Sequence, residues 1–206
     1  VLDEEALPFA PASFDLVTAN LSLHWVNDLP GALIQIRRVL RPDGLFLGAA
    51  FGGGTLRELR QALMEAEIEV EGGAGPRVSP LLDVRDAGDL LQRAGFALPV
   101  VDRDVITVNY EHAFSLMHDL RLMGETNALN ARRRTATRRE TMVRAAARYL
   151  ERFVDKAGRL PAQFEIVYLT GWAPDPSQPQ PLKPGSAAAR LADALGTKET
   201  EVDGGE

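Results

Sequence analysis

The residues able to bind metal or attack a substrate are few. The chain has three histidines, His24, His112 and His118, and no cysteine. A non-haem iron oxygenase site needs two histidines and a carboxylate around one metal, and no His-x-Asp/Glu pair is present to begin one. Without cysteine there is no disulfide framework, thiolate zinc site or cysteine nucleophile, which fits a reducing compartment. No metal site is expected, and no catalytic base is assigned. Polar side chains of interest lie in Asp3-Glu4, in Asn20-Leu21-Ser22-Leu23-His24-Trp25, and in Gly124-Glu125-Thr126-Asn127. For His24-Trp25 a packed loop aromatic with a satisfied imidazole is the bland alternative; for Glu125 and Asn127 it is an ordinary turn. Arg132, Arg133, Arg134, Arg138 and Arg139 form the dense basic run, either a solvated helix entry or a docking face for an acidic partner. Glu65, Glu67, Glu69 and Glu71 read as a solvated helix end.

An alternation of elements must position these groups. Phe14 to Asn20 (FDLVTAN) follows the loop PFAPAS and reads as a buried central strand. From Leu29, the apolar residues Leu33, Ile36 and Leu40 recur at helical spacing, with Arg37, Arg38 and Arg41 gathered at the C-terminal end of the dipole. Arg41-Pro42-Asp43-Gly44 turns the chain into a second buried strand, Leu45 to Phe51. This strand–helix–strand unit predicts a parallel pair. Thr55 and Glu58 have capping-box spacing ahead of a helix running to about Val70. Beyond a loop over Gly72 to Pro80, Asp83 to Ala94 reads as a helix closed by Gly95, and Val100 to Tyr110 as a strand nearer a sheet edge. Helices over Glu111 to Met123 and Thr137 to Val154 precede a last strand, Phe164 to Trp172. The expected fold class is α/β, a Rossmann-like, doubly wound, mainly parallel sheet.

Composition narrows the function classes. With 206 residues, 45% of them hydrophobic, the chain can bury one sizeable core. A formal charge of −6 argues against broad nucleic-acid binding. The longest apolar stretch, Leu45 to Phe51, is far short of the roughly 20 residues that span a bilayer, so membrane contact is expected to be peripheral. Residues 1–174 are expected to form one domain and residues 175–206 a mostly disordered tail with a weakly helical Ala187 to Leu195. Val1 in place of methionine, with Val1-Leu2 as the stub of a strand, predicts further sequence upstream.

Three segments form one ordered signature: Asp3-Glu4-Glu5-Ala6-Leu7-Pro8-Phe9, Phe14-Asp15-Leu16-Val17, and Arg38-Val39-Leu40-Arg41-Pro42-Asp43-Gly44. Together they resemble the class I S-adenosylmethionine-dependent methyltransferases, lacking the N-terminal glycine-rich turn and the first strands of that family. Gly52 to Gly54 lie downstream and do not replace that turn. The resemblance implies S-adenosyl-L-methionine as cofactor, with Asp3 at the position that receives the adenine amino group, Glu4 beside it, and Asn20 with Leu21 near the methionine part. Methyl transfer from a sulfonium is a direct displacement, so alignment and exclusion of water are the protein's main tasks.

A narrower likeness rests on Asn20 to Pro30 (NLSLHWVNDLP), on Phe51-Gly52-Gly53 with Thr55 to Arg60, and on Gly124 to Asn127. These segments resemble the mitochondrial complex I assembly factor family and its bacterial relatives, in which a methyltransferase fold is linked to arginine hydroxylation. The malonyl-carrier methyltransferases share the LHWV-like segment. This likeness implies a substrate pocket formed by His24, Trp25, Phe51, Glu125 and Asn127; for Phe51 core packing is the equal alternative. It also implies a protein partner such as a complex I subunit, in the mitochondrial matrix of a eukaryote or the cytoplasm of a bacterium. Three functions are therefore carried forward: methyl transfer to an unidentified acceptor, protein arginine hydroxylation, and noncatalytic assembly.

Overall fold

The computed structural model describes residues 3–77, 81–180 and 195–197. The chain divides into two compact units, Val1–Pro174 and Asp175–Glu206. The strand stub at Val1-Leu2, residues 78–80 of the loop and most of the tail, Ala187 to Ala194 included, lie outside the described residues.

In the first unit the elements run β1 (Phe14–Asn20), a single 3₁₀ turn (Leu23–Trp25), α1 (Leu29–Val39), β2 (Leu40–Phe51), α2 (Arg57–Glu71), α3 (Val84–Arg93), β3 (Ala97–Tyr110), α4 (Ala113–Leu122), α5 (Arg139–Phe153) and β4 (Leu160–Trp172). The sheet order is β1-β2-β4-β3. β1 pairs parallel with β2, and β4 is antiparallel to both neighbours. Three strands thus run one way, with β4 reversed between the second and third: the α/β sheet expected, mainly parallel in strand direction and carrying one antiparallel strand.

Local chemistry explains the boundaries. Asp28 caps α1, its Oδ1 accepting from the Gly31 amide at 2.9 Å. Asp83 caps α3 through the Arg85 amide at 2.8 Å. Arg41 to Gly44 do not end an element as expected. The register jumps from Phe14↔Leu40 to Leu16↔Leu45, so these four residues bulge within a longer β2. Asp43 there takes φ +61°, a conformation open to aspartate because its short side chain tolerates the left-handed region. Bidentate contacts from Arg41 to Asp15, at 2.6 and 2.7 Å, tie the bulge to β1.

The two sheet faces differ. Phe46, Ala50, Val167 and Leu169 pack with Leu33 and Ile36 of α1 and with Ala87 and Leu91 of α3. On the opposite face Phe51, Phe164 and Ile166 meet Leu59 and Ala62 of α2, Leu116 of α4 and Tyr149 of α5. That second layer covers only part of its face: Leu16, Leu47, Val100 and Tyr168 are 41–56% exposed. β1, read from sequence as a central buried strand, is therefore an edge strand with one open face among the described residues. Its apolar run signalled a strand, and only neighbours absent from that seven-residue pattern decide burial.

Candidate functional site

The carboxyl ends of β1 and β2 open on the same side because the two strands are parallel. Asn20 pairs with Ala49, and the Leu21 amide donates to the Ala49 carbonyl at 2.8 Å. Leu21 then takes φ +52°, which sends the chain sharply into the 3₁₀ turn carrying His24 and Trp25. β2 ends at Phe51, where Gly52 and Gly54 turn the chain toward α2. A Cβ at either glycine would run into the carboxylate end of the Glu165 side chain, which would have to swing away from this turn. Thr55 completes the joint by donating to the Glu165 carbonyl at 3.0 Å and accepting from its amide at 3.1 Å. The expected capping box is thus not formed. Leu56, at φ +52°, precedes α2 without a side-chain cap, and Glu58 is buried near Tyr149 instead. Burial first, then Glu58 and Tyr110, push the Tyr149 phenol well above its ordinary value. Its hydroxyl donates to the Pro161 carbonyl at 2.6 Å.

Between these strand ends and helices α2, α4 and α5 lies a cavity of about 350 Å³. His24, Trp25, Phe51, Glu125 and Asn127, distant in sequence, all line it. Leu63, Met117, Leu120, Met142 and Phe164 supply much of the apolar wall. His24 Nε2 lies 3.1 Å from Glu125 Oε1, and the imidazole packs against Phe51 and Trp25 with ring centroids 4.9 and 5.3 Å away. Asn127 is a loop anchor as well as lining, since its amide donates to the Pro76 carbonyl at 2.9 Å. The other two histidines stand apart: His112 caps α4 by accepting from the Ser115 amide, and His118 is exposed.

Arg60, Arg77 and Arg121 also line the cavity and were not singled out from sequence. Arg60 is held by the Gly53 and Thr55 carbonyls at 2.9 and 2.8 Å. Arg77 pairs with Glu67, whose side chain is 3% exposed, and donates to Thr137 at 3.3 Å. An arginine in the loop Gly-Pro-Arg was a weak signal; its buried partner Glu67 is ten residues of helix and loop away and carries no local pattern. The series Glu65, Glu67, Glu69 and Glu71, expected to be solvated, instead answers arginines: Glu65 meets Arg152 at 2.6 Å, Glu69 meets Arg148 at 3.2 Å, and Glu71 meets Arg133.

The other four residues read from sequence form no single cluster. Asp3 and Glu4 are exposed, and Asp3 Oδ1 accepts from the Glu5 amide at 2.9 Å. Asn20 is exposed at the end of β1 with no side-chain hydrogen bond among the described residues, and Leu21 is half-buried. Glu5, missed in the sequence, links the two regions. Its carboxylate receives the Asn27 side chain at 3.0 Å, and hydrogen bonds from the Asn27 backbone and side chain hold its carboxyl below the usual range. Gln35 of α1 pins the same loop, donating to the Glu5 carbonyl at 2.6 Å and accepting from the Leu7 amide at 2.9 Å. Asp3 and Glu4 keep carboxylate oxygens able to accept, and the Asn20 side chain keeps an amide able to donate. No group of three or more potential metal ligands occurs among the described residues.

Comparison with solved structures gives matches to a candidate methyltransferase of Bacillus halodurans C-125 and to the YcgJ protein of Bacillus subtilis. Each has a TM-score of 0.52, at 16% and 14% identity, covering 84% of this chain and 76% and 69% of the other. The chain has a methyltransferase fold. A methyltransferase-domain family model matches residues 1–48 of this methyltransferase-fold chain. Among curated proteins it is 51% identical over 192 residues to the mitochondrial arginine-hydroxylase NDUFAF5 of Danio rerio, covering 93% of this chain and 59% of that one. The Homo sapiens protein of the same name is 51% identical, with 93% and 55% covered. A malonyl-[acyl-carrier protein] O-methyltransferase of Xylella fastidiosa (strain M23) is 42% identical over 172 residues, with 84% and 56% covered. The chain thus spans between half and two-thirds of the length of these relatives. No helix among the described residues is long and apolar enough to cross a membrane.

Proposed function

We propose that the chain carries the acceptor side of an S-adenosylmethionine-binding enzyme that acts on an arginine side chain of a partner protein. The observation that carries the reading is the cavity at the strand ends: long apolar walls with a single carboxylate, Glu125, among its lining residues. Such a site suits a guanidinium on an aliphatic stem, because the stem covers apolar surface while the charge meets a carboxylate. Three arginines share the lining: Arg77 is answered by Glu67, Arg60 is held by two neutral carbonyls, and Arg121 makes no ion pair among the described residues, so Glu125 is the one lining carboxylate that can receive a further cation. The relatives named arginine-hydroxylase support the same substrate class.

Asp3 and Glu4 would hold the adenine end of the cofactor, and Asn20 with Leu21 its amino-acid end. When bound, the cofactor supplies an electrophilic methyl group. The residues of this chain orient the acceptor, exclude water with Phe51, Leu63 and Phe164, and present Trp25 as a stacking face. Docking of the partner, a complex I subunit in this reading, falls to Arg134, Arg138 and Arg139, which make no ion pair among the described residues. The reading places the enzyme on the matrix side of the inner membrane in a eukaryote and in the cytoplasm of a bacterium.

Methyl transfer and hydroxylation are separated by mass. The full-length protein, incubated in air with S-adenosylmethionine, the partner subunit and a two-electron reductant, should leave one arginine heavier, by a methyl taken from the sulfonium or by one oxygen atom of dioxygen whose other atom leaves as water, and Asp3→Ala should weaken calorimetric binding of the cofactor. A methylated acceptor would favour the kinship with methyltransferases, and an oxygenated one the arginine-hydroxylase relatives. A well-folded protein that binds no cofactor and modifies no arginine would refute the reading in favour of a noncatalytic assembly module.

A further inference from the structure

The geometry points to His24 as a positioning residue whose imidazole holds the Glu125 carboxylate in the pose that meets a cationic side chain in the cavity. This rests on the arginine reading above and assigns how the charge is recognised. The two residues are 101 positions apart and sit on unequal supports. Glu125 lies in a loop beyond α4, with no helix or strand to set its rotamer. His24 is on a turn anchored by buried Leu23, and its own side chain is only 4% exposed, wedged against Phe51 and Trp25.

The hydrogen-bond inventory orients the pair. An ionised carboxylate is an acceptor only, so the imidazole donates from Nε2 to Glu125 Oε1 across their 3.1 Å contact. Glu125 Oε2 keeps no protein partner among the described residues, on a side chain 23% exposed at the cavity. One oxygen is thus committed to the protein and one is left for a ligand. Fixing the carboxylate beforehand removes rotamer entropy that binding would otherwise have to offset. A purely structural imidazole explains the site less well. His24 Nδ1 is buried with no hydrogen-bond partner, a cost that an apolar side chain packed between Phe51 and Trp25 would avoid.

The test is a ligand-observed NMR titration of the full-length protein with N-acetyl-arginine methylamide, beside the citrulline analogue, which has the same length without the charge. Wild type should prefer arginine, and Glu125→Gln should erase the preference. His24→Leu should weaken arginine binding about tenfold, the scale of one charge-assisted hydrogen bond, and leave citrulline binding unchanged. His24→Gln, whose amide also donates, should restore most of the preference, and the shorter His24→Asn should not. In the Glu125→Gln background, His24→Leu should add nothing. Additive losses, or an arginine preference indifferent to His24→Leu, would overturn the positioning role while sparing the arginine reading. Equal binding of the two probes by wild type would defeat the arginine reading itself. Because His24→Gln and His24→Asn both keep a polar side chain, their contrast decides the question even if the leucine variant fails to fold.

Discussion

The two faces of the sheet are built on different principles. Under α1 and α3 the contacts are apolar and closed: Phe46 and Leu33 have no exposed surface, and Phe46 stacks on Phe96 at 5.5 Å between centroids. Under α2, α4 and α5 a second apolar core, with Leu59, Leu116 and Tyr149 buried in it, is fastened at its rim by charge. Glutamates of α2 meet arginines of α5 and of the preceding loop, and a cavity remains where the helices meet the strand ends. A close-packed face tolerates no missing atoms, whereas a layer fastened at its rim by ion pairs can keep room for a ligand. The difference suggests that one face supplies the stability and the other spends some of it on a site.

Three substitutions would break or sharpen this contrast. Phe46→Ala, on the closed face, should cost about 3–5 kcal/mol in denaturant unfolding, through lost burial and the cavity left behind. A loss near 1 kcal/mol would mean that this face is not the main source of stability. Arg77→Ala, on the open face, should cost about 2–4 kcal/mol, because Glu67 would be left buried without its cation. Replacing both members with residues of matched shape should recover much of that loss, and failure to do so would point to the Thr137 contact instead. Arg152→Ala, which removes a half-exposed rung 2.6 Å from Glu65, should cost less than about 1 kcal/mol and less still in high salt. Equal effects for Arg77 and Arg152 would erase the distinction between a buried clasp and a solvated one.

Legibility in the sequence followed the same divide. β1 was readable to the residue and α1 nearly so, because an apolar run and a helical repeat are local patterns written by a local physical need. The end of α3 at Gly95 and the edge position of β3 were also foreseeable, from a left-handed glycine and from interleaved charges. The Thr55–Glu58 spacing misled, since it imitates a cap while Thr55 bonds to Glu165 across 110 positions. The glutamates of α2 misled likewise: a charge every second residue looks solvated until another helix arrives with arginines. For the site, family likeness pointed to His24, Trp25, Phe51, Glu125 and Asn127, and the fold brings those five to one cavity. Arg60, Arg77 and Glu5 stayed hidden, each defined by a partner that no neighbouring residue announces.

By itself the sequence determined the alternation of strands and helices, the close of α3 at Gly95, and the kinship with methyltransferase folds. These depend on side-chain spacing and on backbone preferences that act within a few residues. The tertiary structure alone decided that β4 enters the sheet between β2 and β3, that one face closes while the other keeps a cavity, and that His24 meets Glu125. Such pairings are set by which surfaces can be buried together and which charges must then be answered, and that reckoning involves the whole chain at once.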